Sequence, residues 1–398
     1  MKQRSFHPAF FTALTCALLA GCDGGPGTGT GGSGGGSATS ETTTTGSTSV
    51  GGGSTSVGGS TSVGGGGAAG GAPGLVQVFV AQGHMGRITI SCDDGQSWIQ
   101  DHSLDDSTRC FEPLDCDHHE GAGRGLAYGA GQWVATFGWG EPGTLQRSAD
   151  GITWETVLDP SPNHADLAFG QGVFIGNVIP PRLSTDGEQW TETASPENLN
   201  VWNPRAIGFS PDGGGVFVIT GESGDERDIV LSNDGGKTWW HPDSRPDECV
   251  GYVRGITGGN GALVASSGNG FVCTSTDGGK TWSRIDLGEW LSSPPVFTGS
   301  EFLVWQTNTV HRSTDGTTWT SQPTSPSNIA IGPVARGPNG TIVAANDGWM
   351  VWYEKQELYR STDGVTWEVL DKSKFTGSHP IHFIEPGWAP PSAECPLP

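Results

Sequence analysis

The sequence predicts an all-β fold, a single seven-bladed β-propeller, and three observations carry that prediction. First, a turn motif, Ser-x-Asp-(x)-Gly-x-x-Trp, occurs seven times. The long copies run Ser91–Trp98, Ser232–Trp239 and Ser275–Trp282; shorter ones, lacking one turn residue, run Ser148–Trp154, Ser184–Trp190, Ser313–Trp319 and Ser361–Trp367. Second, successive copies begin 36 to 57 residues apart, the spacing of a blade built from about four short strands. Third, the ends of the chain complement each other. Leu75-Val76-Gln77-Val78-Phe79-Val80 reads as a second strand with no first strand before it, and Ile381-His382-Phe383-Ile384 as a first strand with nothing after it. The C-terminal strand then completes the first blade and leaves no open edge.

Within each copy a short hydroxyl and a carboxylate (Asp93, Asp150, Asp186, Asp234, Asp277, Asp315, Asp363) can bond the backbone of their own turn. Glycine takes the positive φ that a side chain resists, and the tryptophan starts the returning strand with its ring under the hairpin. This chemistry builds a hairpin, not a reaction. The copies resemble the Asp-box, or BNR repeat, of sialidases, sortilin-type receptors, some endoglucanases and a photosystem II assembly factor. The resemblance covers roughly residues 75 to 398. It implies a propeller, and it leaves function open because the box is structural in all of those families.

The blade units follow a common order: strand, Gly-rich turn, apolar strand, variable loop, strand, box, strand. Arg124-Gly125-Leu126-Ala127-Tyr128, Ala165-Asp166-Leu167-Ala168-Phe169, Arg205-Ala206-Ile207-Gly208-Phe209 and Arg254-Gly255-Ile256-Thr257 open four units in one register. These are A strands, innermost in each blade, followed by B, C and D.

Residues 1–22 read as a targeting segment: Lys2 and Arg4, an apolar run from Ala9 to Ala20, then Leu19-Ala20-Gly21-Cys22. That ending resembles a bacterial lipobox, which implies cleavage before Cys22, lipidation of its thiol and a cell-envelope location. The alternative is an ordinary signal peptide that ends near a cysteine. Residues 23–74 are Gly, Ser and Thr with almost no large apolar group, so they read as a flexible tether. A random coil of that length spans about 40 Å. No later stretch reaches the ~20 apolar residues of a membrane-spanning helix.

Forty-two acidic residues against 20 basic ones give a net charge of −22, which argues against a nucleic-acid partner, since phosphate binding needs a basic face. The eight cysteines include Cys16 in the leader and Cys22. The six others suggest disulfides in an exported protein, with Cys110–Cys116, Cys249–Cys273 and Cys92–Cys395 the expected pairs. No Cys-x-x-Cys spacing suggests zinc; neither metal nor cofactor is expected.

In such a propeller the boxes occupy one face, and the D–A and B–C connections surround the channel mouth on the other, where binding sites usually lie. Arg124, Arg205 and Arg254 share one strand-A position, and three converging guanidinium groups would bind a carboxylate or phosphate. The resemblance adds that sialidases hold a sialic acid carboxylate with an arginine triad. The alternative is that arginine belongs to the repeat and pairs with acidic loops. Trp139, Trp202, Trp290, Trp349, Trp352 and Tyr353 fall on the same face and suit a sugar or an extended peptide. Catalysis lacks a constellation. The sialidase Phe/Tyr-Arg-Ile-Pro motif is absent, adjacent Tyr353-Glu354 would point to opposite faces, and the endoglucanases' paired aspartates need two propellers. Asp166, Glu120, Glu141, Glu222, Asp225 and Glu226 remain as acids expected to be mostly solvated. The expectation is a monomeric, lipid-anchored module that binds a glycan or protein without chemistry; the alternatives are a sialidase-like hydrolase and an assembly factor.

Overall fold

The computed structural model of the chain describes residues 74–397 except 84–85, 100–121, 139–142, 163, 195–202, 224–225, 251–252, 347–356 and 377–379. The side chains of 203–205, 222–228 and 250 are also outside the description. Proposed features at Cys22, Cys110, Cys116, Glu120, Trp139, Glu141, Trp202, Asp225, Trp349, Trp352 and Tyr353 therefore lie outside it, as do the side chains of Arg205, Glu222 and Glu226.

Seven antiparallel sheets form the blades of a propeller. Blade 1 holds β1 (Val76–Gly83) and β2 (Ile88–Ser91); blade 2 holds β3 (Gly123–Gly129), β4 (Gln132–Phe137), β5 (Gly143–Ser148) and β6 (Glu155–Ser161). Blade 3 comprises β7 (Leu167–Gly170), β8 (Val173–Gly176), β9 (Arg182–Ser184) and β10 (Thr191–Glu192). In blade 4, β11 (Asn203–Ser210), β12 (Val216–Ser223) and β13 (Glu226–Ser232) are completed by a Leu231–Trp240 bridge. Blade 5 contains β14 (Val253–Gly259), β15 (Ala262–Ser267), β16 (Phe271–Ser275) and β17 (Ser283–Asp286). Blade 6 contains β18 (Val296–Phe297), β19 (Phe302–Gln306), β20 (Thr309–Ser313) and β21 (Thr320–Pro323). Blade 7 has β22 (Ile331–Arg336), β23 (Ile342–Asn346), β24 (Leu358–Ser361) and β25 (Glu368–Val369). The final strand, β26 (Ile381–Ala389), pairs with β1 along its whole length and serves as the A strand of blade 1.

That closure is fastened three ways. Beyond the β1–β26 ladder, a disulfide joins Cys92 to Cys395 with their Cα atoms 5.3 Å apart. The Asp94 carboxylate, in the first turn motif, accepts from Asn339 Nδ2 at 2.6 Å, Thr341 Oγ1 at 2.7 Å and Arg360 Nη2 at 2.5 Å, all in blade 7. The other expected bridge within the described residues, Cys249–Cys273, is also formed, inside the apolar cluster between blades 4 and 5.

The seven turns are nearly superposable in their bonding. In each, the serine hydroxyl donates to the aspartate at 2.8–3.0 Å and accepts the N–H of the glycine at 2.8–2.9 Å. Trp154, Trp190, Trp282 and Trp319 return an indole N–H to that glycine's carbonyl at 2.9–3.1 Å. In blade 7 Trp305, from the preceding blade, takes the Gly364 carbonyl instead, at 2.8 Å.

Positive φ is half of the reason for glycine; the other half is room. A Cβ on Gly95, Gly151, Gly187, Gly236, Gly279 or Gly364 would come closer than 3.0 Å to Val343, Val80, Val134, Ile175, Leu231 and Leu303 respectively, and on Gly316 3.1 Å from Ala262. Every partner belongs to the preceding blade. The turn is therefore also the seam by which one blade seats on another, which the sequence pattern does not reveal.

Asp150, Asp186, Asp234, Asp277, Asp315 and Asp363 should make the fold acid-sensitive. Desolvation raises the Asp277 carboxyl, but the Thr281 hydroxyl and amide with the Ser275 hydroxyl outweigh it and hold the group down to about 2. Asp186 and Asp315 are lowered chiefly by backbone amides. Asp150, Asp234 and Asp363 are lowered too, their hydrogen bonds overcoming partial burial. A carboxyl depressed in the folded chain contributes stability that is complete above its unfolded value of about 3.9 and disappears as pH falls through the folded value. The urea midpoint should thus fall steeply between about pH 4 and pH 2. A midpoint constant over that window would refute this account.

Candidate functional site

The site grows from irregularities at the start of the innermost strands. In β3 the register passes from Gly123 opposite Phe137 to Gly125 opposite Thr136, which leaves Arg124 as an extra residue. The same step occurs in β11 between Pro204 and Ala206 around Arg205, and in β14 between Val253 and Gly255 around Arg254. A bulge of this kind re-aims one side chain while the strand on either side keeps its pairing. The three arginines of the sequence pattern are thus three bulge residues, in blades 2, 4 and 5.

Blade 1 has a fourth. Gln82 pairs with Phe383 and Gly83 with Ile381, so His382 is the extra residue of β26. Its Nδ1 lies 3.1 Å from the Gly123 carbonyl, beside the Arg124 bulge. Because a carbonyl only accepts, Nδ1 carries the proton in the neutral ring. Burial pushes the imidazole down to about 4, the Gly123 carbonyl partly restores it, and the Arg124 charge lowers it further. Sequence inspection passes over this residue because one histidine in an apolar strand carries no periodic signal, and the inner-strand bulges hold arginine in blades 2, 4 and 5 but Gly332-Pro333 in blade 7.

At blade 5 the bulge meets the connecting loops. The guanidinium carbon of Arg254 lies 4.6 Å from the centroid of the Trp290 ring, in the connection between β17 and β18, where a cation–π contact fixes both groups. Gly268, just after β15, makes this possible: a Cβ there would stand 3.2 Å from the ring and 3.4 Å from Arg254 Nε. Trp290 remains 45% exposed. Strand A, a B–C loop and a D–A connection therefore converge on one arginine–tryptophan pair.

Asp166 departs from its expected solvation. It is buried, and its two carboxylate oxygens accept the N–H groups of Leu167 at 2.8 Å and of Ile207, in blade 4, at 3.2 Å. A carboxylate engaged this way braces adjacent A strands. Glu385, on β26, is buried as well. Burial raises it well above the ordinary carboxylic acid range, the Tyr128 amide lowers it and the Asp166 charge raises it again.

Among the described residues, one tyrosine is hydrogen-bonded to a glutamate: Tyr359 donates to Glu357 at 2.6 Å. The hydroxyl belongs to a ring buried between blades 6 and 7. Burial foremost, then Glu357, pushes it up from the ordinary phenol value. That is opposite to the activation a nucleophile needs. No group of three or more His, Cys, Asp or Glu side chains fit to hold a metal ion occurs among the described residues.

Comparison with known proteins places the fold. No protein-family model matches the chain, and no curated protein is significantly similar to it. Solved structures do resemble it. AztD from Citrobacter koseri is 10% identical, with a TM-score of 0.51 over 79% of this chain and 98% of that one. Virginiamycin B lyase from Staphylococcus aureus is 13% identical, with a TM-score of 0.50 over 68% and 96% of the two chains. A structure of YCF48 bound to D1 peptide is 20% identical, with a TM-score of 0.43 over 61% and 79%. At these identities the likeness to AztD and to virginiamycin B lyase is one of fold alone, and that fold in this chain is the seven-bladed β-propeller.

Proposed function

We propose that this chain is an exported, lipid-anchored propeller of the Asp-box type and a non-catalytic recognition module. Its ligand is an acidic glycan or protein, held at the channel mouth. The bonding of the seven turns supports the Asp-box assignment, and the Leu19-Ala20-Gly21-Cys22 ending supports the anchor. The observation that supports the binding reading is the bulge register, in which Arg124, Arg205 and Arg254 are the extra residues at equivalent points of three inner strands. Guanidinium groups arranged around one opening suit a carboxylate or phosphate, each offering a planar fork of donors. The Arg254–Trp290 pair adds a flat apolar surface beside the charge, the combination that sugars and extended peptides use.

A glycan array and a panel of fluorogenic glycosides, run on the full chain and on Arg124→Ala/Arg254→Ala, test the reading. Binding without turnover, weakened about a hundredfold in the double variant, is the expected result, since each charged hydrogen bond contributes roughly 1.5–3 kcal/mol. Turnover of a sialoside that the double variant abolishes would replace this reading with a sialidase-like hydrolase. No response on either panel would turn attention to a protein partner.

A further inference from the structure

We infer that His382 is a fourth ligand-binding residue of the arginine mouth, contributed by the strand that closes the ring, and that it makes anion binding proton-linked. The inference rests on the proposed anion site and adds a residue, and a pH dependence, that the site does not otherwise have. The geometry that carries it is the shared bulge. His382 stands to β26 as Arg124 stands to β3 and Arg254 to β14: each is the one residue left over where the register steps. It is also the neighbour of the first arginine, through its 3.1 Å contact with the Gly123 carbonyl. An anion seated on Arg124 therefore lies in the immediate field of the imidazole.

The elements packed against β26 define that field. From β3 come Arg124 and Tyr128, from β22 Arg336, from β1 and β23 no titratable group, and from β26 itself Glu385, which Asp166 influences from blade 3. The imidazole is kept neutral by burial and by Arg124, with a value of about 4. An anion that neutralises Arg124 removes one of those causes and adds an opposite charge nearby, so the value rises on binding. Binding then takes up a proton. By linkage, affinity increases as pH falls between the bound-state and free-state values, and it is independent of pH well above both.

The experiment is isothermal calorimetry on the full chain with two probes whose charge is constant over the range used, glucuronate and sulfate. Measurements at pH 7.5 and 5.5, in two buffers of different ionisation enthalpy, give affinity and protons taken up together. If the anion restores the ring to its ordinary value of about 6.5, affinity should rise about tenfold between the two pH values. His382→Gln, which keeps a donor for the Gly123 carbonyl, should remove the proton uptake and the pH dependence and weaken binding at pH 5.5 about tenfold. His382→Phe, which keeps a planar ring that cannot take up a proton, should do the same. Glucuronate alone responding identifies a carboxylate site; sulfate responding as well identifies a general oxyanion site. Binding that Arg124→Ala weakens but His382→Gln leaves intact in affinity and pH slope would overturn the role of His382 and leave the arginine site standing. No binding of either probe would overturn the arginine site and this inference with it.

Discussion

Gly279→Ala should destabilise the propeller by about 2–5 kcal/mol, whereas Gly261→Ala should cost about 1–2 kcal/mol. Both glycines have positive φ, +94° at Gly279 and +79° at Gly261, so both substitutions carry backbone strain. They differ in surroundings. Around Gly261 nothing lies within 4 Å of a new Cβ, while at Gly279 the Leu231 side chain of the preceding blade occupies the space. Because a close-packed interior cannot admit another methyl without shifting its neighbours, the extra loss at Gly279 measures the seam itself. Urea unfolding of the two variants in parallel gives the difference directly. Equal losses would mean that the turn glycines serve conformation alone and that blades do not seat through them.

The second large effect concerns closure. Cys92→Ser/Cys395→Ser should lower stability by about 4–5 kcal/mol, and Cys249→Ser/Cys273→Ser by about 3 kcal/mol. The pairs span sequence separations of 303 and 24 residues, and the chain entropy removed from the unfolded state grows with the loop that a crosslink closes. The β1–β26 ladder and the Asp94 contacts survive the first change, so a folded but less stable ring is the expected product. Denaturant midpoints under non-reducing conditions decide the matter. A larger loss from the short bridge than from the long one would show that local strain relief, and not ring closure, governs the contribution of these disulfides.

How much of this was legible beforehand varies with the range of the interaction involved. The turn bonding was legible because serine, aspartate and glycine act within a few residues of one another, and sequence spacing reports such contacts faithfully. Closure was legible because Leu75–Val80 and Ile381–Ile384 each lacked what the other supplied. The second role of Gly279 was not, since it depends on how far a neighbouring blade stands from the turn. Asp166 looked like a loop acid; its burial follows from where β11 passes, which no local pattern encodes. Arg124, Arg205 and Arg254 could be aligned as repeats, but that they are bulge residues depends on the pairing of strand B. His382 escaped for the same reason, since only the register of β26 against β1 shows that it is the residue left over.

The seams all point the same way along the chain, and that gives the ring a direction of assembly. Six of the seven turn glycines rest on a blade already synthesised when they appear: Gly151 on Val80, Gly187 on Val134, and so on to Gly364 on Leu303. A chain emerging N-terminus first can therefore add each new blade to a finished surface. The exception is the first turn, where Gly95 waits for Val343. Its seat, the Asp94 contacts, the Cys92 bridge and the partner strand of β1 all come from blade 7 or from beyond it in the chain, so the oldest part of the domain is the last to be secured.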